Sequence, residues 1–186
     1  MEITRTLYAT TRDEWRAWLA EHYRTEKEIW LVYPQKRSGK PRIPYADAVE
    51  EALCFGWIDS TQKGLDDDHT AQRYTPRRPG IPYSQTNQER LRRMIAQGKV
   101  LPEVLESIGD LLDQPFQVPA DIRQALRDNE PAWSNLQGWP APYLRIRVAH
   151  VDSARADPDE FGKRLRNLIE KSSKGKQYGF GIEAFY

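Results

Sequence analysis

The hydrophobic period of this chain changes part-way along it, and that change limits the folds open to it. Ile29 to Tyr33 is an unbroken apolar, β-branched and aromatic run closed by Pro34, the pattern of a buried strand. Trp57 to Lys63 and Thr70 to Thr75 read as two more strands. Gly64-Leu65-Asp66-Asp67-Asp68 between them supplies the small and acidic residues of a turn. Beyond Pro82 no such run recurs, and the apolar residues fall at helical spacing. The expected class is α+β: a small antiparallel sheet packed with helices, with the hairpin beside the earlier strand, followed by a mainly helical C-terminal half.

The helical signals are local. Thr11 with Glu14 forms a capping box ahead of Trp15, Trp18, Leu19 and His22, and Thr86 with Glu89 repeats the pattern ahead of Leu91, Met94 and Ile95. In Tyr45 to Leu53 one stripe carries Ala46, Val49 and Leu53 and the other carries Glu50 and Glu51; Gly56 ends the segment. Pro102, Pro119 and Pro131 stand where first-turn prolines do, and Asp157 precedes a last helix carrying Phe161, Leu165, Leu168 and Ile169. The 186 residues read as a single domain, with an α/β part over 1–98, a helical part over 99–173 and a mobile basic and aromatic tail over 174–186. A boundary near Asp113 to Val118 is compatible with the pattern but not required by it.

Composition narrows the function classes. Lys and Arg number 28 against 27 Asp and Glu, so no global field draws the chain to nucleic acid or an anionic membrane. The single Cys54 excludes an internal disulfide framework and any multi-cysteine zinc site, and fits a reducing compartment. No apolar run reaches the length of a membrane span, and charges interrupt Met1 to Ala20, so neither membrane insertion nor a signal peptide is expected. The expected location is cytoplasmic. No metal site and no cofactor is implied.

Chemistry-bearing residues concentrate between Cys54 and Asn87. If the two strands of the hairpin pair, Trp57, Asp59 and Thr61 share a face, as do Arg73 and Thr75, bringing a carboxylate near an arginine. Arg77 and Arg78 follow Pro76, and their planar donors suit carboxylate or phosphate oxygens. With Tyr83, Ser84 and Asn87, these residues form the expected site for a small polar or anionic ligand. Cys54 follows an apolar stripe and reads as a core thiol. Two other readings stay open. One is a hydrolase or transferase using Cys54 or an Asp59/Arg73 pair. The other is a nucleic-acid surface running from Arg73 through Arg90, Arg92 and Arg93 with Tyr74 and Tyr83 interleaved.

Several of these segments together resemble a known family. Glu28-Ile29-Trp30-Leu31-Val32, Tyr45 to Leu53, Cys54-Phe55-Gly56-Trp57-Ile58-Asp59, Gln72 to Arg78, Tyr83-Ser84 and Asn87 resemble the bacterial YdeI/OmpD-associated, or bacteriocin-protection, family. The resemblance covers the N-terminal half well. It is looser around Asp152 to Arg155 and Phe161 to Gly179, and Tyr83 stands where the family usually has Trp. It implies a role in bacterial stress or antimicrobial-peptide tolerance and brings no reaction, cofactor or catalytic residue with it.

Overall fold

The computed structural model describes residues 2–179 and 181–185. Strands β1 (Thr6–Leu7), β2 (Ile29–Pro34), β3 (Trp57–Gly64) and β4 (His69–Pro76) form one sheet in the order β1-β2-β4-β3. The hairpin β3/β4 lies beside β2, with all three strands antiparallel, while the two-residue β1 adds in parallel and makes the sheet mixed. The sheet packs with helices, and from α3 onward the described chain is helical, so the class is α+β. The described residues divide into two compact units: the chain up to Tyr83 with Arg90–Leu112, and Ser84–Glu89 with the chain from Asp113 onward.

In the first unit α1 (Arg12–His22) starts at Thr11, whose hydroxyl accepts from Glu14 N. The Glu14 carboxylate reaches back to Thr10 N at 2.7 Å, closing the box one residue before the cap. Trp15, Trp18 and Leu19 then bury one face, with Trp15 stacked on Trp18 at 5.4 Å. Helix α2 (Tyr45–Cys54) ends where Gly56 takes φ 71, a left-handed conformation that allows the chain to turn straight into β3. Ile29, Leu31 and Tyr74 of the sheet meet Trp15, Val49, Leu53 and Met94 in one buried cluster. The sequence pattern placed Glu50 and Glu51 on the stripe away from the core, yet both are buried. Arg12 reaches Glu50 at 2.7 Å and Glu51 at 2.9 Å, Arg16 reaches Glu51 at 2.8 Å, and Arg93 reaches Glu50 at 2.9 Å. A stripe polar by composition is thus interior because arginines from two neighbouring helices close over it.

Helix α3 (Gln85–Ala96) begins two residues earlier than the Thr86/Glu89 signal indicates. Ser84 caps it by accepting from Asn87 N at 3.3 Å, and Glu89 is instead a buried ligand of Arg145, at 2.6 and 2.7 Å. Helix α4 (Pro102–Ile108) completes the first unit, with its proline in the first turn as expected.

The second unit is built on α5 (Ala120–Arg127), α6 (Glu130–Gly138), α7 (Ala141–Asp152) and α8 (Pro158–Ser173). Pro119 sits at the cap of α5, one residue outside the helix, and Asp157 caps α8 by accepting from Asp159 N and Glu160 N. Helix α7 has a first-turn proline but no apolar stripe, because its buried Tyr143, Ile146, Val148 and Val151 do not fall on one line. Trp139 packs at the α6/α7 junction, edge-on to Tyr143 at 5.1 Å. Of the segment read as a mobile tail, Tyr178 N donates to the Tyr143 hydroxyl and Ile182 is buried, while Phe180 and Tyr186 lie outside the described residues. Among the described residues no helix is long and apolar enough to cross a membrane.

Candidate functional site

The register of β3 on β4 decides which side chains meet. Asp59 pairs with Tyr74 and Ile58 with Thr75, and a bulge between Asp59 and Gln62 then brings Gln62 opposite Gln72. Residues directly opposite share a face, so Asp59, Gln62, Gln72 and Tyr74 point one way and Arg73 and Thr75 the other. The expected Asp59/Arg73 pair does not form. Arg73 instead bonds Glu28 through Nε at 2.7 Å, and Asp59 accepts from the Tyr45 hydroxyl at 2.5 Å. Composition and alternation cannot set cross-strand register, and a one-residue offset sends a side chain to the opposite face.

On the Asp59 side the sheet and the segment leading into α2 enclose a cleft of about 470 Å³. Tyr33, Asp59, Gln62 and Gln72 line it from the sheet, and Arg42 and Tyr45 from the other wall. Tyr33 and Tyr74 are buried with their hydroxyls 3.4 Å apart, and Gln72 donates to Ser60 O at 3.0 Å. Burial pushes the Tyr33 phenol up to about 12 and Tyr74 well above the usual tyrosine range. Burial, and then the hydrogen bond to Asp59, raise Tyr45 as well. The cleft therefore presents protonated phenols, amides, one carboxylate and one guanidinium, a set that hydrogen-bonds in both directions.

On the other side Arg73, Thr75, Arg77 and Arg78 border a smaller concavity of about 210 Å³. Within it Arg77 is committed to its own loop: the guanidinium lies 3.6 Å from the Tyr83 ring centroid and donates to Ile81 O at 2.7 Å. Arg78 is exposed and has no side-chain hydrogen bond or ion pair among the described residues. Of the nine residues read as the ligand site, these four come together, with Tyr83 against Arg77. Asp59 belongs to the cleft. Trp57 is a core residue whose indole donates to Tyr23 O at 3.1 Å, and Ser84 and Asn87 form the α3 cap in the second unit. The arginines read as one cationic surface are dispersed: Arg73 and Arg93 hold carboxylates, and Arg92 donates to Leu112 O.

Sequence reasoning missed Tyr33, Arg42, Tyr45, Gln62 and Gln72. The available signal was a polar-tipped tyrosine inside an otherwise apolar strand, since buried phenols need a partner for the hydroxyl.

Cys54 is buried, and burial pushes its thiol up to about 11, with the Glu51 charge acting in the same direction. A protonated, enclosed thiol is a poor nucleophile. Iodoacetamide at pH 8 is expected to leave Cys54 unmodified in the native protein and to label it fully in denaturant; native labelling at the denatured rate would refute this. The same groups set an alkaline limit. Cys54, Tyr33 and Tyr74 all hold their protons more tightly folded than unfolded, so their contribution is intact below the ordinary values of 9 and 10; that of Cys54 and Tyr33 declines as pH rises towards about 11 and about 12, and that of Tyr74 declines above its ordinary value. The urea midpoint should be flat from pH 7 to 9 and fall steadily above it.

A family model described as "Domain of unknown function (DUF8412)" matches residues 7–107. The chain belongs to that family. The DUF8412 match spans β2 to β4 with the end of β1, the two concavities described above and the Glu50/Glu51 network, and covers little of the second unit. No curated protein and no solved structure matches the chain.

Proposed function

We propose that this DUF8412 protein is a small-ligand-binding protein of the YdeI/OmpD-associated kind, cytoplasmic, acting in stress or antimicrobial tolerance. The ligand is small and polar and sits in the tyrosine-lined cleft. One observation carries the reading: a concavity of about 470 Å³ is lined by the buried Tyr33 and Gln72 beside the Tyr45–Asp59 hydrogen bond, and its volume falls within the ordinary range of small-molecule sites. Buried polar groups cost stability unless satisfied, so a cleft that gathers several of them is suited to a partner that hydrogen-bonds back. The resemblance of Glu28 to Asn87 to the family supports the biological setting.

Specific observations weigh against the competing readings. A reaction through Cys54 has to reach a buried thiol, and one through Asp59 with Arg73 needs two side chains that point from opposite faces of the sheet. A nucleic-acid surface from Arg73 to Arg93 loses the charge of Arg73 and Arg93 to Glu28 and Glu50.

Native mass spectrometry of freshly purified protein, followed by a thermal-shift screen of small polar compounds, tests the proposal. The exposed Gln62 lies at the mouth of the cleft, and Gln62→Trp fills that mouth. Ligand-induced stabilisation is expected in the wild type and should vanish in Gln62→Trp. A ligand that stabilises both proteins equally assigns the site elsewhere.

A further inference from the structure

We infer that the ligand of the tyrosine-lined cleft is a small zwitterion, its ammonium group received by Asp59 and its carboxylate by Arg42. This inference rests on the cleft being the binding site and adds the chemical class of the ligand.

The first unit meets its other buried and part-buried carboxylates with guanidinium groups. Glu28, part-buried, and Glu50 and Glu51, buried, each face arginine at 2.5 to 2.9 Å, as carboxylates removed from water generally must. The cleft breaks that pattern twice. Asp59 accepts only the neutral Tyr45 hydroxyl, and among the described residues no cation lies within 4.0 Å of its carboxylate. Arg42 donates to the Pro34 carbonyl at 3.0 Å and has no carboxylate partner among the described residues. Both are only partly exposed, and both line the same concavity without pairing with each other.

Tyr33 lies within reach of both charges: beyond the upward push of burial, Asp59 raises its phenol and Arg42 lowers it. Arg90 also acts on the Tyr45 phenol, but it has an interaction of its own. A cleft that keeps one anion and one cation apart across tyrosine walls is complementary to a molecule carrying both charges. The ammonium gains Asp59, and the carboxylate gains the planar donors of Arg42. A ligand with one charge leaves the opposite protein charge unmatched, which penalises it.

Isothermal titration of the full chain tests this with a panel of free α-amino acids, each beside its decarboxylated amine and its deaminated acid. At least one amino acid is expected to bind with a dissociation constant below about 10 mM, with its amine and its acid each at least about tenfold weaker. Asp59→Asn, which can still accept from Tyr45, and Arg42→Gln should each weaken binding by about tenfold or more. Asp67→Asn and Arg37→Gln, which remove the same charges outside the cleft, should leave it unchanged, and circular dichroism melts verify that all four variants fold. The zwitterion assignment is overturned if no amino acid binds, if the amine or acid binds as tightly as the parent, or if Asp59→Asn and Arg42→Gln keep full affinity. Loss of a singly charged or neutral ligand in Gln62→Trp overturns only the ligand class. Survival of a ligand in Gln62→Trp overturns the cleft itself.

Discussion

Replacing Glu51 with alanine is expected to destabilise the protein by about 3 kcal/mol, the low end of what breaking a buried ion pair costs. Glu51 is 1 % exposed and receives Arg12 at 2.9 Å, Arg16 at 2.8 Å and Lys99 at 3.9 Å. Removing it leaves two guanidiniums facing a dry space. The arginine side chains keep 25 % and 31 % of their surface in water, so part of the lost attraction is recovered by solvation, which is why the figure sits at the low end. Glu50→Ala should behave similarly, since Arg12 and Arg93 converge on its Oε2. Glu50 and Glu51 share Arg12, so the double variant should cost less than the sum of the two. Urea unfolding of both singles and the double measures this; a loss under about 1 kcal/mol for Glu51→Ala would place the network among surface pairs in energetic terms.

Trp15→Ala is expected to cost about 4 kcal/mol, within the range for emptying a buried aromatic site. Trp15 is fully buried, stacked on Trp18 and tilted against Tyr74 at 5.2 Å, so the hole opens where α1 meets the sheet. The loss is large because the neighbours are themselves rigid rings that collapse poorly into a void. Its indole also donates to Ala48 O at 2.9 Å, tying α1 to α2. Trp15→Phe keeps most of the ring and removes that bond, and should cost roughly 1 to 2 kcal/mol. Equal losses in the two variants would assign the effect to the hydrogen bond rather than to the packing.

Much of the architecture was legible because it follows local rules. The capped first helix, the Ile29 to Pro34 strand, the hairpin with its acidic turn and the proline-led helices each rest on signals within a few residues. Asp157 capped a helix for the same reason. What failed was non-local. Glu89 matched a capping box by spacing, but Arg145, 56 residues away, claims its carboxylate. Glu50 and Glu51 looked like an outer stripe because nothing nearby announces that Arg93 will close on Glu50 and that Arg12 and Arg16 will close on Glu51. Helix α7 carries Arg145 and Arg147 among apolar residues and shows no clean stripe, since partners elsewhere neutralise or cover those arginines.

The candidate site divides in the same way. From the sequence alone came the class of the fold and the absence of a disulfide framework, because composition and short-range periodicity reflect the chain's own geometry. Only the tertiary structure decided that Asp59 faces Tyr45 rather than Arg73, that Arg77 serves its loop, and that Tyr33 and Arg42 complete the cleft. The physical reason is register. A strand presents alternate residues to opposite faces, so a one-residue offset and a bulge between Asp59 and Gln62 reassign every neighbour, and no interval within the sequence encodes that pairing.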